Sequence, residues 1–158
     1  MKNKKGAAVL LCVTLLLPLV CGCAGSFSAP KPGKDEIMLR IKLDLDEDIG
    51  LLLIDYVIDG HKGGGGISNA DKTMVARNET QYWSFEKNEL GIKNAGVSLT
   101  FRLSVVTKYF DPNYDNIYPE EYVIPADELT FDAVFGRAYS VTLSGGKNTG
   151  YTAALTNG

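Results

Sequence analysis

The nine residues 97–105, VSLTFRLSV, decide how this chain folds. Apolar and polar side chains alternate in them without a break, and the apolar ones are Val97, Leu99, Phe101, Leu103 and Val105. A helix of this sequence would scatter these side chains around its circumference, whereas a strand collects them on one face. The pattern therefore predicts a β-strand over residues 97–109, with one face in a core and the other in water.

Segments with strand character recur on both sides of this one. They cover residues 37–45, 51–58, 72–77, 82–86, 129–133, 139–143 and 151–155. Residues 51–58 are nearly all apolar, which is typical of a central strand, with Asp55 outward; residues 72–77 predict a short edge strand. The glycine run at residues 63–66 predicts a loop, and residues 144–150 predict a glycine-rich turn.

Seven or eight short strands without a helical period predict an all-β domain over residues 37–158. The expected architecture is an antiparallel β-sandwich of immunoglobulin-like or transthyretin-like type, and a small β-barrel is the alternative. The resemblance to immunoglobulin-like domains is one of class only. The three cysteines, Cys12, Cys21 and Cys23, all precede the domain, so the Cys…Trp…Cys spacing of antibody domains does not occur.

The N-terminus has the layout of a secretory signal peptide. Lys2, Lys4 and Lys5 precede a 15-residue apolar run at residues 6–20, and small residues follow it. A helix needs about 20 apolar residues to span a bilayer, so this run is short for a transmembrane anchor. A cleaved leader at residues 1–22 is therefore expected; a plain secreted chain and an uncleaved anchor are the alternatives.

The end of this leader, Val20-Cys21-Gly22-Cys23, resembles a bacterial lipobox. In lipoproteins an aliphatic residue stands three positions before the modified cysteine and Gly or Ala directly before it, which correspond here to Val20 and Gly22. The resemblance implies lipidation of Cys23 and attachment to the extracytoplasmic face of the cell membrane through acyl chains. Cys21 is the rival for the modified position, but the residue before it, Val20, is larger than the Gly or Ala of the family. Residues 24–36, rich in Ser, Gly, Pro and charge, would form a flexible tether.

The charge balance of the chain without its leader narrows the classes of partner. Thirteen basic residues then stand against 19 acidic ones. An acidic exterior argues against nucleic acid as a partner and gives no attraction to anionic lipid head groups. Membrane attachment would therefore depend on the acyl chains at Cys23.

Residues 111–127 form an unusually long connection between predicted strands. It carries three prolines and several carboxylates but no Lys or Arg, and aromatic side chains are concentrated in and beside it: Tyr109, Phe110, Tyr114, Tyr118 and Tyr122. Connections of this length are usually functional or disordered, and so many aromatic residues argue against disorder. The rings either pack as a small core of the loop or form a surface that binds a sugar or a protein.

The same loop contains a partial calcium motif. Asp111, Asn113 and Asp115 place oxygen ligands at alternate positions, as an EF-hand loop does. The match then fails, because Asn116 and Tyr122 stand where that motif has Gly and Glu. Glu120 or Glu121 would have to complete an irregular site; the alternative is a turn in which Asp and Asn cap their own backbone. No other cofactor is predicted.

Signals for an enzyme are weak. The only histidine, His61, lies beside the glycine run, where a preorganised catalytic triad is not expected. A second acidic cluster at residues 44–48 predicts a solvated turn in a hairpin connection. The sequence therefore favours a non-catalytic, lipid-anchored binding or envelope-assembly protein; a calcium-assisted carbohydrate-binding module is the alternative, and a hydrolase a remote one.

Overall fold

The computed structural model describes residues 29–110 and 118–156. The described elements are eight strands and one 3₁₀ turn: β1 (Glu36–Leu45), β2 (Leu51–Ile58), β3 (His61–Ile67), β4 (Thr80–Glu86), β5 (Gly96–Val106), η1 (Glu120–Tyr122), β6 (Val123–Val134), β7 (Arg137–Gly146) and β8 (Gly150–Thr156). The signal peptide and lipobox predictions, including Val20, Cys21, Gly22 and Cys23, lie outside the described residues.

The strands form two four-stranded sheets packed face to face. One sheet has the order β4-β1-β7-β8 and the other β3-β2-β5-β6. The predicted all-β sandwich is confirmed, and the described strands form two separate sheets rather than the closed barrel of the alternative. One pair departs from the antiparallel expectation, since β1 runs parallel to β7. The chain passes through the second sheet between them, which allows the two strands to point the same way.

The core between the sheets follows from the alternation in the sequence. Ile37, Leu39, Ile41 and Leu43 of β1 are fully buried, while Lys42 and Asp44, on either side of Leu43, are exposed. In the facing sheet the fully buried side chains include Leu52, Ile54, Leu99 and Leu103. Burial of each such side chain contributes on the order of 2 kcal/mol to the free energy of unfolding, so the alternating strands supply most of the stability.

The predicted loop at residues 63–66 is wrong, because these glycines lie in the strand β3. Asp59 and Gly60 turn the chain with φ values of 48° and 84°, as a type I′ hairpin requires, and β3 then pairs with β2. Added Cβ atoms show why glycine is used. A Cβ at Gly63 would lie 2.4 Å from Tyr56 Oη, and one at Gly65 would lie 2.4 Å from Trp83 Cη2. The strand therefore leaves room for two aromatic rings.

The predicted edge strand at residues 72–77 is also wrong. Only Val75 forms a bridge, with Ile49, and Lys72 has a left-handed φ of 67°. The carboxylate of Asp71 accepts hydrogen bonds from the hydroxyl and the backbone N–H of Thr73, which lowers the pKa of Asp71. These local bonds hold the backbone in a turn and compete with extended pairing.

Two connections also differ from the sequence prediction. The sequence predicts the acidic residues 44–48 in a hairpin connection, but the segment after β1 leads into β2 of the other sheet. Strand β6 begins at Val123, inside the predicted connection of residues 111–127. Ile124 and Val123 pair with Val105 and Val106 of β5, so part of the expected loop continues the sheet.

The packing of Trp83 against Gly65 gives a first prediction. Gly65→Ala should lower the free energy of unfolding by roughly 1–3 kcal/mol, because the added methyl group overlaps the indole ring. Urea denaturation of the full chain measures this change. The matched control is Gly96→Ala, where the nearest atom to an added Cβ is the Ala133 carbonyl oxygen at 3.7 Å. Equal stability of both variants would contradict the packing role of Gly65.

Candidate binding groove

The described aromatic residues of the long loop pack against one another. The ring of Phe110 lies 6.1 Å from the ring of Tyr118 and 5.4 Å from that of Tyr122, measured between centroids. Lys108 Nζ lies 4.2 Å from the centre of the Tyr122 ring and 3.1 Å from its hydroxyl oxygen. A cation over a ring face is attracted to its π electrons. These contacts bring Phe110, Tyr118 and Tyr122 together as one cluster, with all three half-buried.

The base of the loop is fixed to the sheet by backbone contacts. The N–H of Thr107 donates a hydrogen bond to the carbonyl oxygen of Tyr122 at 2.9 Å. The N–H of Gly50 donates one to the carbonyl oxygen of Val106, also at 2.9 Å. Gly50 is required for this approach, since a Cβ there would lie 1.9 Å from the Lys108 carbonyl oxygen. The aromatic cluster is therefore held at the end of β5 beside the start of β2.

Tyr118 also lines a cleft on the outer face of the sheet β3-β2-β5-β6. The cleft has a volume of about 510 Å³, and its lining residues are Leu51, Leu53, Asp55, Gly64, Gly65, Gly66, Ser68 and Tyr118. We call this cleft the aromatic groove. Leu51, Leu53 and Asp55 alternate along β2 with the fully buried Leu52 and Ile54, so strand geometry turns them to the outer face. On that face Leu51 is 8% exposed, Leu53 is half-buried and Asp55 is exposed. The groove combines apolar side chains, one ring and one carboxylate.

Polar side chains extend the same face away from the loop. A second cleft of about 310 Å³ shares Asp55 and is lined also by Arg102 and Glu128. Arg102 Nη2 lies 3.1 Å from Glu128 Oε2 in an exposed ion pair, and Arg102 stands opposite Asp55 in the strand register. Beside them, the hydroxyl groups of Thr100 and Thr130 are 2.8 Å apart. This part of the face is polar and partly paired within itself.

The structure brings only part of the predicted site together. Phe110, Tyr118 and Tyr122 form the cluster, and Tyr109 lies half-buried next to it in the chain. Tyr114 and three predicted calcium ligands, Asp111, Asn113 and Asp115, lie outside the described residues. Glu120, the fourth ligand, is exposed in the turn η1. Among residues 29–110 and 118–156, no three His, Cys, Asp or Glu side chains come together as metal ligands would. The calcium site stays a prediction.

The sequence does not predict the groove, because it indicates a nearly all-apolar central strand with Asp55 outward at residues 51–58 and a loop at residues 63–66. A signal existed, because Asp59-Gly60 between two extended segments is typical of a tight hairpin. That hairpin places the glycines next to Asp55 and Leu53. His61 begins β3 and is exposed.

Comparison with known proteins identifies no family. No family model matches the sequence, and no curated protein matches it. Solved structures give weak similarity over the domain. Pneumolysin is similar with 10% identity and a TM-score of 0.38, over 78% of this chain and 24% of that chain.

Two further solved structures give the same picture. Listeriolysin O has 7% identity and a TM-score of 0.38 over 77% of this chain and 23% of that chain. A non-hemolytic pneumolysin from Streptococcus pneumoniae strain ST306 has 10% identity and a TM-score of 0.34 over 78% and 24%. The chain thus spans about a quarter of the length of these proteins, and similarity at this level does not indicate a shared activity.

Within the described residues, no helix has the length and apolar character needed to cross a bilayer.

The second acidic cluster is structural rather than a free set of ligands. Glu47 accepts hydrogen bonds from the hydroxyl of Tyr151 and from the backbone N–H of Lys147. Asp48 accepts from the backbone N–H of Arg77 at 3.0 Å. Burial raises the pKa of Tyr151, and its hydrogen bond to Glu47 and the charge of Glu47 raise it further. The cluster therefore fastens the connection between the two sheets to β8.

The raised pKa of Tyr151 predicts a pH dependence of stability. In the unfolded chain the phenol loses its proton near pH 10, whereas the folded domain keeps it. Ionisation therefore favours the unfolded state above about pH 10, and the free energy of unfolding should fall as the pH rises from there; below it this contribution is complete. Tyr151→Phe should be less stable at pH 7 by about 1–2 kcal/mol, and its stability should fall less steeply above pH 10.

Urea denaturation at pH 7 to 11 measures both effects. Tyr82→Phe is the matched control, because Tyr82 is 37% exposed on β4. Its curve should follow the wild type at every pH. Parallel curves for Tyr151→Phe and the wild type above pH 10 would refute the role of the Tyr151 hydroxyl.

Proposed function

We propose that this chain is a lipid-anchored, extracytoplasmic binding protein that recognises a protein partner, or assembles with one in the cell envelope, through the aromatic groove. The observation that supports this most directly is the position of Tyr118. Its half-buried ring lines the same cleft as the side chains of Leu51 and Leu53. Aromatic side chains beside an apolar floor are the usual anchors of protein interfaces.

The lipid anchor is supported by the sequence of the leader. Val20, Gly22 and Cys23 match the positions that lipoprotein processing reads, and a tether rich in Gly, Ser and Pro separates Cys23 from β1. Of the predicted tether at positions 24–36, Glu36 belongs to β1, and the 12 residues before it would allow the domain to stand at most about 45 Å from the lipid head groups. The groove would then face partners near the membrane surface rather than in bulk solution.

A carbohydrate ligand is the second candidate, favoured by the chemistry of the groove wall. The ring of Tyr118 shares the cleft with the carboxylate of Asp55 and the hydroxyl of Ser68. Stacking on an aromatic ring together with hydrogen bonds to a carboxylate and a hydroxyl is how proteins hold sugar rings. Calcium at the 111–127 loop would belong to this candidate.

Lipidation is predicted at Cys23 and not at Cys21. Cells that express the chain are labelled with an alkyne analogue of palmitate, and the tagged chain is isolated and its label measured. Cys23→Ala should lose the label completely, since the acyl acceptor is removed, while Cys21→Ala should keep it. Persistent label on Cys23→Ala, or loss of label on Cys21→Ala, would refute the assignment of the anchor.

The groove is tested by photo-crosslinking on intact cells. The variant Tyr118→p-benzoylphenylalanine should give a discrete higher-mass species that contains a second protein. The control is Thr152→p-benzoylphenylalanine, an exposed position on β8 of the other sheet. Equal products from both positions, or none from Tyr118, would refute a protein-binding groove.

The carbohydrate candidate is tested by sedimentation with purified peptidoglycan. Sedimentation of the wild type that is lost in Tyr118→Ala would support this candidate.

A further inference from the structure

The strand β3 is an open edge of its sheet. Among the described strands it pairs only with β2, and Gly64, Gly65 and Gly66 are exposed. Natural edge strands usually carry Pro, charged side chains or bulges that prevent further pairing. The opposite edge, β6, has Pro125 and an irregularity in its register with β5. Residues 63–67 have neither a proline nor a charge, so their backbone is accessible to another strand.

The register between β2 and β3 determines what such a strand would meet. Gly64 stands opposite Asp55, and Gly66 stands opposite Leu53, with both pairs on the outer face. A strand added to β3 would lie about 5 Å from it. Because the glycines have no side chains, the outer-face side chains of the added strand would extend across β3 toward Asp55 and Leu53. The edge and the aromatic groove are therefore parts of one surface.

The charge of this surface indicates which kind of strand would bind to it. Asp55 is exposed and is the only ionisable carboxylate among the described residues that line the groove; Leu51, Leu53 and Tyr118 supply its apolar area. A basic side chain opposite Gly64 would reach the carboxylate of Asp55. An apolar or aromatic side chain two residues away would lie on the same face and reach Leu53 and Tyr118.

We propose that β3 accepts an extended peptide strand of a protein partner, one that carries a basic and an apolar side chain two residues apart. This inference rests on the proposed function, because it names the partner of the same groove. Backbone hydrogen bonds along the glycines would supply affinity, and the pair Asp55 and Leu53 would supply selectivity, as in other proteins that bind peptides by strand addition.

Synthetic peptides test the proposal on the full-length chain purified in detergent. The probe is a ten-residue peptide with a Lys-Thr-Phe centre in a Thr-rich extended sequence, and its binding is measured by fluorescence anisotropy. Peptides with Glu-Thr-Phe, and with Lys and Phe adjacent, are the sequence controls. Both should bind at least several-fold more weakly, because the first has the wrong charge and the second places its side chains on opposite faces.

Backbone methylation separates strand addition from simple side-chain binding. Successive N–H groups of a strand point to opposite sides, so only every second one can donate to β3. N-methylation of one alternate set should abolish binding, while methylation of the other set should change it less than about threefold. Equal effects of both sets would overturn the proposal.

Two variants locate the binding edge. Gly66→Val places a branched side chain on the outer face of β3. The atoms nearest to its Cβ would be side-chain ends, Leu51 Cδ1 at 3.0 Å and Leu53 Cδ2 at 3.4 Å, and not backbone. It should weaken binding at least tenfold, whereas Ser98→Val on the exposed outer face of β5 should not. Asp55→Asn should weaken binding of the Lys peptide two- to fivefold and leave a Gln-Thr-Phe peptide unchanged.

The crosslinking and peptide-binding experiments together distinguish failure of the strand-addition proposal from failure of the proposed function. Crosslinking from Tyr118 to a partner without any peptide binding at β3 would overturn the strand-addition proposal and leave the groove as a binding site. A concentration-dependent dimer of the wild type, lost in Gly66→Val, would assign the edge to a second copy of the chain and would also overturn it. Absence of both crosslinking and peptide binding would refute both proposals.

Discussion

The parallel pairing of β1 with β7 is the constraint on which the domain depends. It joins the start of the folded chain to a strand near its end, in nine residue pairs from Ile37–Arg137 to Leu45–Gly145. These two strands occupy the middle of their sheet, and their inner side chains, among them Leu43 and Leu143, are fully buried. The other sheet is all antiparallel and is covered by this pair. With no cysteine after Cys23, this non-local pairing and the burial it organises replace a covalent crosslink.

Local pattern predicted the strands well and their arrangement poorly. The alternation in residues 37–45 and 97–105 located β1 and β5, whose first residues, Glu36 and Gly96, lie within one position of the expectation. Alternation says which side chains share a face, but it does not name the partner strand. The pairing of Ile37 with Arg137 could therefore not be predicted, since both residues would show the same pattern beside any neighbour.

The glycine strand shows why composition failed at the functional face. Glycine has a low strand propensity, so a run of four at residues 63–66 is normally a loop. Tertiary packing reverses this preference, because Tyr56 and Trp83 need the space of two missing side chains. The aromatic residues of the long loop were found because they are conspicuous in the sequence. The Leu and Asp side chains that complete the groove lie on β2, whose nearly all-apolar sequence marks Asp55 as outward but does not show that Leu51 and Leu53 line a cleft beside it.

The tether and the groove have complementary energetic roles under the proposed function. A groove of about 510 Å³ with one carboxylate and few apolar side chains offers little area, so its intrinsic affinity would be modest. Anchoring through Cys23 would confine the domain to a layer about 45 Å deep, and a partner held in the same layer would meet it at high effective concentration. Modest affinity is then sufficient for binding at the membrane. The same domain without its anchor would bind the partner only weakly in solution. Anchoring would therefore contribute to the free energy of binding as well as determine where the protein is located.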